Sequence, residues 1–182
     1  MRRAAVNLVL WMCCALPAGP AFAQSRADAE DDGDSKLRGE LEVKLPAPPK
    51  VENLLPFEAG TASGNRFFID AQSILVGDDG IVRYTLVIKS AAGAENVSYE
   101  GIHCDRVEQK YYAFGRRDGS WANAQSSAWK RIQYKEINRQ HGTLYSDYFC
   151  PDGSPILSAK DAINRFKYGV PKGGPPRSGN RR

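Results

Sequence analysis

The 182-residue sequence contains no Cys-x-x-Cys pair, no Gly-x-Ser-x-Gly, no phosphate-cradling Gly-rich loop, no His-Glu-x-x-His, no dinucleotide turn and no EF-hand loop. Each absence takes away the local signature of one chemistry, from dithiol exchange through the serine elbow and nucleotide hydrolysis to zinc, flavin and calcium sites. Charge of one sign is scarce as well: 25 Lys and Arg stand against 21 Asp and Glu, a formal +4. Residues 51–170 carry fourteen of each sign, and the basic excess sits at the two ends. A nucleic-acid-binding domain carries a basic stripe on its folded body, so nucleic acid is set aside as a partner. Length fits one domain with a real core, and no internal repeat is present.

The amino terminus reads as an export signal. Arg2 and Arg3 form a positive start, residues 4–16 (AAVNLVLWMCCAL) a short apolar run, and Ala21, Phe22 and Ala23 a small-x-small cleavage site. Residues 1–23 are expected to be removed, leaving 23 basic and 21 acidic side chains, a charge of +2. The run stops short of the ~20 apolar residues a spanning helix needs, and Asn7 interrupts it. No transmembrane segment is expected after cleavage. Lipid attachment at Cys13 or Cys14 is the poorer reading, because Trp11 and Met12 stand where small residues precede a lipidated cysteine. The expected location is the periplasm or another exported compartment.

Export decides how the cysteines are read. Cys13 and Cys14 leave with the signal, and Cys104 and Cys150 remain in a compartment that oxidises thiols. They are expected to form a structural disulfide closing a loop of roughly 46 residues, with roughly 4 kcal/mol as an upper bound from chain entropy. Zinc bound by His103, Cys104, His141 and Cys150 matches no finger or ribbon spacing. No metal and no cofactor is expected.

Along the chain, residues 24–50 are acidic, almost without aromatics, and end in a proline cluster. That composition predicts a disordered leader. Residues 51–170 form the expected domain, and the basic, Pro/Gly-rich residues 171–182 a disordered tail. Within the domain, residues 51–57 dock onto the body and residues 66–70 make a short strand. Asp78, Asp79 and Gly80 turn the chain into a strand over 81–89. Alternation gives that strand a core face of Val82, Tyr84, Leu86 and Ile88, with Arg83, Thr85 and Lys89 on the other side. In the strand over 97–104, Ile102 and Cys104 share a face on which Glu100 is out of place unless the strand bulges near Gly101. Tyr112 and Phe114 read as an inward pair of the next strand, with Tyr111 facing out.

A turn at 117–120 precedes Trp121 and Trp129. Residues 133–141 are ambiguous between strand and helix, and 143–150 (TLYSDYFC) read as a strand. Ser158 as N-cap, Asp161 in the first turn and Gly169 at the end predict a closing helix with Ala162, Ile163 and Phe166 on one face. The fold class is α+β: an antiparallel meander or sandwich of six to eight strands, one C-terminal helix and one disulfide.

Five stretches carry a resemblance: 65–74 (NRFFIDAQSI), 82–90 (VRYTLVIKS), 96–105 (NVSYEGIHCD), 110–116 (KYYAFGR) and, after a Trp-rich connection, 147–151 (DYFCP). Together they resemble the cryptic neisserial protein one-like family of bacterial envelope proteins, over roughly residues 54–166. The resemblance implies an exported, envelope-associated domain of unknown function. Some relatives look lipid-anchored, and this sequence departs from them for want of a lipobox. The family carries no catalytic residue to transfer.

Two constellations bear on function. Glu100, His103, Asp105 and Glu108 lie near one strand end, where a carboxylate pair or a His–carboxylate pair would serve a hydrolase if a cleft held them. Arg106 and Lys110 balance them, and ordinary strand-end charges are the favoured reading. Tyr111, Arg116, Arg117, Trp121, Trp129, Lys130, Arg131 and Tyr134 form an aromatic and basic set of the kind that stacks on sugars or anchors a protein partner. At least one of those Trp is expected in the core. The function expected is a non-catalytic exported domain that binds an envelope protein or glycan through that region. The alternative is a periplasmic hydrolase using Glu100 or Asp105.

Overall fold

Strand-forming β-branched and aromatic residues build one antiparallel sheet in the computed structural model, which describes residues 39–60, 64–133 and 139–170. The strands are β1 Leu54–Phe57, β2 Arg66–Asp70, β3 Leu75–Val76, β4 Ile81–Lys89, β5 Glu95–His103, β6 Glu108–Gly115, β7 Trp121–Asn123 and β8 Lys130–Arg131. Their order is β1-β2-β4-β5-β6-β7, with β3 pairing β4 and β8 pairing β6. The α+β class with its C-terminal helix and its disulfide between Cys104 and Cys150 is present as expected. So is the turn at Gly80, whose φ of 75° is the left-handed value that favours glycine.

The even row of β4 faces the main core, as alternation predicts. Val82, Tyr84 and Leu86 pack with Ile102 of β5 and with Cys104 just after it against Leu144, Phe149, Ile156 and Ala162. The helical layer over that face comprises α1 Arg139–Thr143, a π-helical segment Leu144–Phe149 and α2 Ala159–Tyr168. Residues 143–150 are therefore not a strand. A π turn returns after roughly four to five residues, so Leu144 and Phe149 point into the same core. The Cys150 amide closes the segment onto the Tyr145 carbonyl at 2.9 Å. The apolar residues of TLYSDYFC form adjacent pairs four apart, which suits a helix better than a period of two. In α2, Ser158 Oγ accepts from the Asp161 amide at 3.2 Å, and Gly169 ends the helix at φ 84°. Phe166 of α2 stacks on Tyr148 at 4.2 Å.

The other face of the sheet is not open either. Arg83 and Thr85, expected on an outer face, are 1% and 0% exposed. Residues 39–50, expected to belong to a disordered leader, lie on this face as a strap and hold Asp79, the partner of Arg83. Val43 packs against the cluster of Tyr99, Tyr112 and Ala113, as Trp121 does. The Leu41 amide donates to Asp79 Oδ2 at 2.9 Å, and Trp121 Nε1 donates to the Pro46 carbonyl at 2.8 Å. An acidic, proline-bearing composition argues against burying a core. It does not prevent a segment from being held by polar partners on a face that already exists. Residues 1–38 and 171–182, which include the expected signal, the rest of the leader and the basic tail, lie outside the described residues.

A bulge separates the roles of neighbouring tyrosines. Tyr99 pairs with Ala113 and Glu100 with Tyr111, so Tyr112 is the extra residue of β6. Its ring lies over Gly101, where an added Cβ would stand 2.7 Å from the Tyr112 hydroxyl. Tyr112 and Phe114 are thus not an inward pair. Tyr112 is buried with Tyr99 on the strap side, whereas Phe114 is exposed and stacks on Tyr111 at 5.3 Å.

Candidate functional site

Glu100 keeps the face that alternation gave it and becomes the centre of a buried polar cluster. Its Oε2 accepts from the Tyr84 hydroxyl at 3.0 Å and lies 2.8 Å from His141 Nε2, while Oε1 accepts from Ser98 Oγ at 2.5 Å. Tyr84 is its register partner on β4, Ser98 stands two residues before it on β5, and His141 comes from α1. Tyr111 sets its ring edge-on to His141 at 5.9 Å. Glu100 is 1% exposed and His141 2%. Burial, followed by the Glu100 charge, holds the Tyr84 phenol well above its ordinary range. The same two causes raise Tyr111. Both tyrosines stay protonated, and Tyr84 remains a donor.

The cluster is unlike the acid–base group expected from local sequence. His103 is on the opposite face, edge-on to Trp129 at 5.9 Å, and its imidazole is pushed below its usual value by burial and then by Arg106. Asp105 is exposed in the turn after β5. Glu108 pairs with Arg106 at 2.8 Å. Glu100, His103 and Asp105 are not brought together, and the histidine that does meet Glu100 is 41 residues away in sequence. Nothing local marks that pairing. The available signal was negative: a carboxylate on an apolar face must find a partner. Chemically, the arrangement is a satisfied carboxylate rather than one offered to a substrate, since both oxygens are taken and the surrounding layer encloses it. Among the described residues no group of three or more His, Cys, Asp or Glu is placed to hold a metal ion.

The aromatic and basic set divides into three. Tyr111 lies with Phe114 and His141 on the helical side. Trp129 and the exposed Arg131 flank one end of β6, where β8 pairs with it. Arg116, Arg117 and Trp121 meet at the β6–β7 hairpin in a cleft of about 220 Å³ that Pro48, Pro49 and Val97 also line. Gly119, at φ 81°, makes the hairpin turn, and Asp118 accepts from the Ser120 amide at 2.9 Å to fix it. Arg116 Nη1 donates to Ser120 Oγ at 3.3 Å and to the Trp121 carbonyl at 3.4 Å. Arg117 is exposed at the rim. Tyr134 lies outside the described residues.

The strap supplies residues that composition concealed. Glu40 pairs with Lys110 Nζ at 2.9 Å and accepts from Trp129 Nε1 at 3.3 Å. Lys110 also sits over the rings of Tyr112 and Trp129, at 5.2 and 5.5 Å. Burial works against the Glu40 charge, but the hydrogen bonds and charge of Lys110, with the Trp129 indole, outweigh it and hold the carboxyl below its ordinary value. Asp79 is likewise penalised by burial and nonetheless lowered, by Arg83 and by the Leu41 amide. Its ion pair with Arg83, at 2.6 Å, is buried. A larger recess of about 500 Å³ lies elsewhere, between Pro151, Pro155 and α2, beside the exposed Leu157 and Tyr168.

The CNP1-like family profile matches residues 34–167, a span that takes in the strap, the whole sheet and nearly all of α2. Cryptic neisserial protein 1 of Neisseria gonorrhoeae (strain ATCC 700825 / FA 1090) is 28% identical over 115 residues, which cover 56% of this chain and 56% of that relative. The chain thus spans about half the length of the curated relative it matches. No solved structure matches the chain.

Proposed function

The chain belongs to the CNP1-like family, and we propose that it is an exported, non-catalytic binding domain that engages an envelope protein or glycan through the β6–β7 hairpin cleft. The observation that carries this reading is a contrast between two sites. Glu100 is enclosed with both oxygens occupied, while Arg117 stands exposed at the rim of an open cleft beside Trp121 and two prolines. A guanidinium offers paired donors to carboxylate or phosphate. Trp and proline supply the apolar floor on which a sugar ring or peptide can lie. The ligand class is therefore one that presents an anionic group beside an apolar surface.

Two features support the exported location. The amino-terminal sequence has the form of a cleavable signal. The disulfide is of the kind maintained in oxidising compartments. The test is crosslinked affinity capture from envelope extract of the source bacterium, with the tagged mature chain run beside its Arg117→Ala variant. A stoichiometric component captured by the first and lost by the second is expected. Capture unaffected by Arg117→Ala would remove the cleft from the account.

A further inference from the structure

We infer that the sheet face beneath residues 39–50 is a recognition groove for extended, proline-bearing peptides, filled here in cis by the chain's own strap. The strap's burial has a period. Val43, Pro46 and Pro49 are half-buried, while Leu41, Glu42, Lys44, Leu45, Ala47, Pro48 and Lys50 are exposed. Burial at every third residue is the repeat of a polyproline II helix, which has three residues per turn and no internal hydrogen bonds. One step earlier in the same phase, Glu40 meets Lys110. The facing residues read Glu-x-x-Val-x-x-Pro-x-x-Pro at 40, 43, 46 and 49.

The groove matches this pattern position by position. Lys110, with Trp129 beside it, takes the acidic residue. Val43 packs on the cluster of Tyr99, Tyr112 and Ala113. The Trp121 indole donates to the Pro46 carbonyl, and Pro49, with Pro48, forms a wall of the hairpin cleft. No strand of the ladder pairs with the strap, so the sheet recognises it by side chains in the manner of a ligand. Aromatic-lined grooves read Pro-x-x-Pro segments in this way, because a polyproline II segment loses little entropy on binding. Both tryptophans outside the signal donate their indole N–H to the strap. Tryptophan fluorescence therefore reports its occupancy.

A partner of this chemistry carries an acidic residue, an aliphatic one three positions on, and prolines three and six positions beyond that. In the intact chain it must compete with a tethered copy whose effective concentration is of millimolar order. This inference goes beyond the proposed function: the groove shares Trp121 and Pro49 with the cleft but does not use Arg117, and it would survive a failure to capture any partner through that arginine.

The test titrates a labelled synthetic peptide of residues 39–50 against the full mature chain and against a Val43→Asp variant, whose strap is loosened. Mass and far-UV circular dichroism verify the disulfide and fold. Saturable binding at least tenfold tighter for Val43→Asp than for the unaltered chain is expected, as is at least tenfold weaker binding of a peptide carrying Pro46→Ala and Pro49→Ala. If Val43→Asp does not fold, Glu40→Lys loosens the strap without placing a charge among the aromatics. A Lys110→Glu chain should then prefer the Glu40→Lys peptide. A folded, loosened chain that binds no peptide, or binds the proline-free peptide equally well, overturns the inference.

Discussion

His141 Nε2 stands 2.8 Å from Glu100 Oε2, and this contact fastens the helical layer to the middle of the sheet between two side chains that solvent does not reach. With Tyr84 and Ser98 also donating, the carboxylate has three partners. It is a structural joint. Glu100→Gln should lower stability by about 1–3 kcal/mol, because an amide presents an N–H₂ where a donor already points. Glu100→Ala should cost about 3–5 kcal/mol by leaving the buried partners uncompensated. Urea unfolding of the oxidised protein measures both, and an unchanged midpoint for Glu100→Ala would contradict this role.

The disulfide joins the residue after β5 to the end of the π-helical segment across 46 positions. Replacing both cysteines by alanine should destabilise the domain by about 2–4 kcal/mol, within the chain-entropy bound for a loop of that length. The urea midpoint reads this directly. Mass after alkylation without reductant should show no free thiol at Cys104 or Cys150.

Acid should release the strap. The folded-state values of Glu40 and Asp79 are held below their ordinary 4.5 and 3.8. The stability they contribute is fully present above those ordinary values and is lost as pH falls through the lower folded-state ones. Tryptophan emission should therefore be constant from pH 7 to about 5 and shift below about 4. Glu40→Gln should reduce the amplitude of the shift. A transition at higher pH would point instead to His103, whose imidazole is edge-on to Trp129 and is held below its ordinary value by burial.

Trp121→Phe keeps the ring against Tyr99 and removes the donor to the Pro46 carbonyl. Docking of the strap should weaken by about 1 kcal/mol, the net worth of one hydrogen bond whose acceptor can turn to water. Exchange of the Leu41 amide, which Asp79 Oδ2 holds, should quicken while that of the β4 and β5 amides stays as it was. Equal acceleration in both would mean that the strap and sheet open together.

The sheet could be read from the sequence because its signals are local. Alternation in 81–89, the Asp78-Asp79-Gly80 turn and the Ser158 cap each sit inside a few residues. What escaped depends on the chain returning to itself. The period-two reading of 110–116 fails at Tyr112, because a single extra residue changes the phase of everything beyond it. The polar side of β4 looked solvent-facing, since nothing near Arg83 announces that residues 39–50 will cover it. The strand expected at 143–150 is a π-helical segment instead, and its apolar pairs four apart carry the helical spacing that its aromatic content masks. Of the candidate site, Arg116, Arg117 and Trp121 could be grouped from the sequence because they are neighbours there. His141 and Glu40 were missed as site partners because theirs lie 41 and 70 positions away.

The most direct test is a binding isotherm of the component captured in the affinity experiment against three forms of the chain from residue 24 on: unaltered, Arg117→Ala and Glu100→Gln. The binding account predicts that Arg117→Ala weakens association at least tenfold while folded Glu100→Gln matches the unaltered chain. Association insensitive to Arg117→Ala, together with chemical turnover of the component that Glu100→Gln abolishes, would contradict it and make Glu100 the centre of an enzyme.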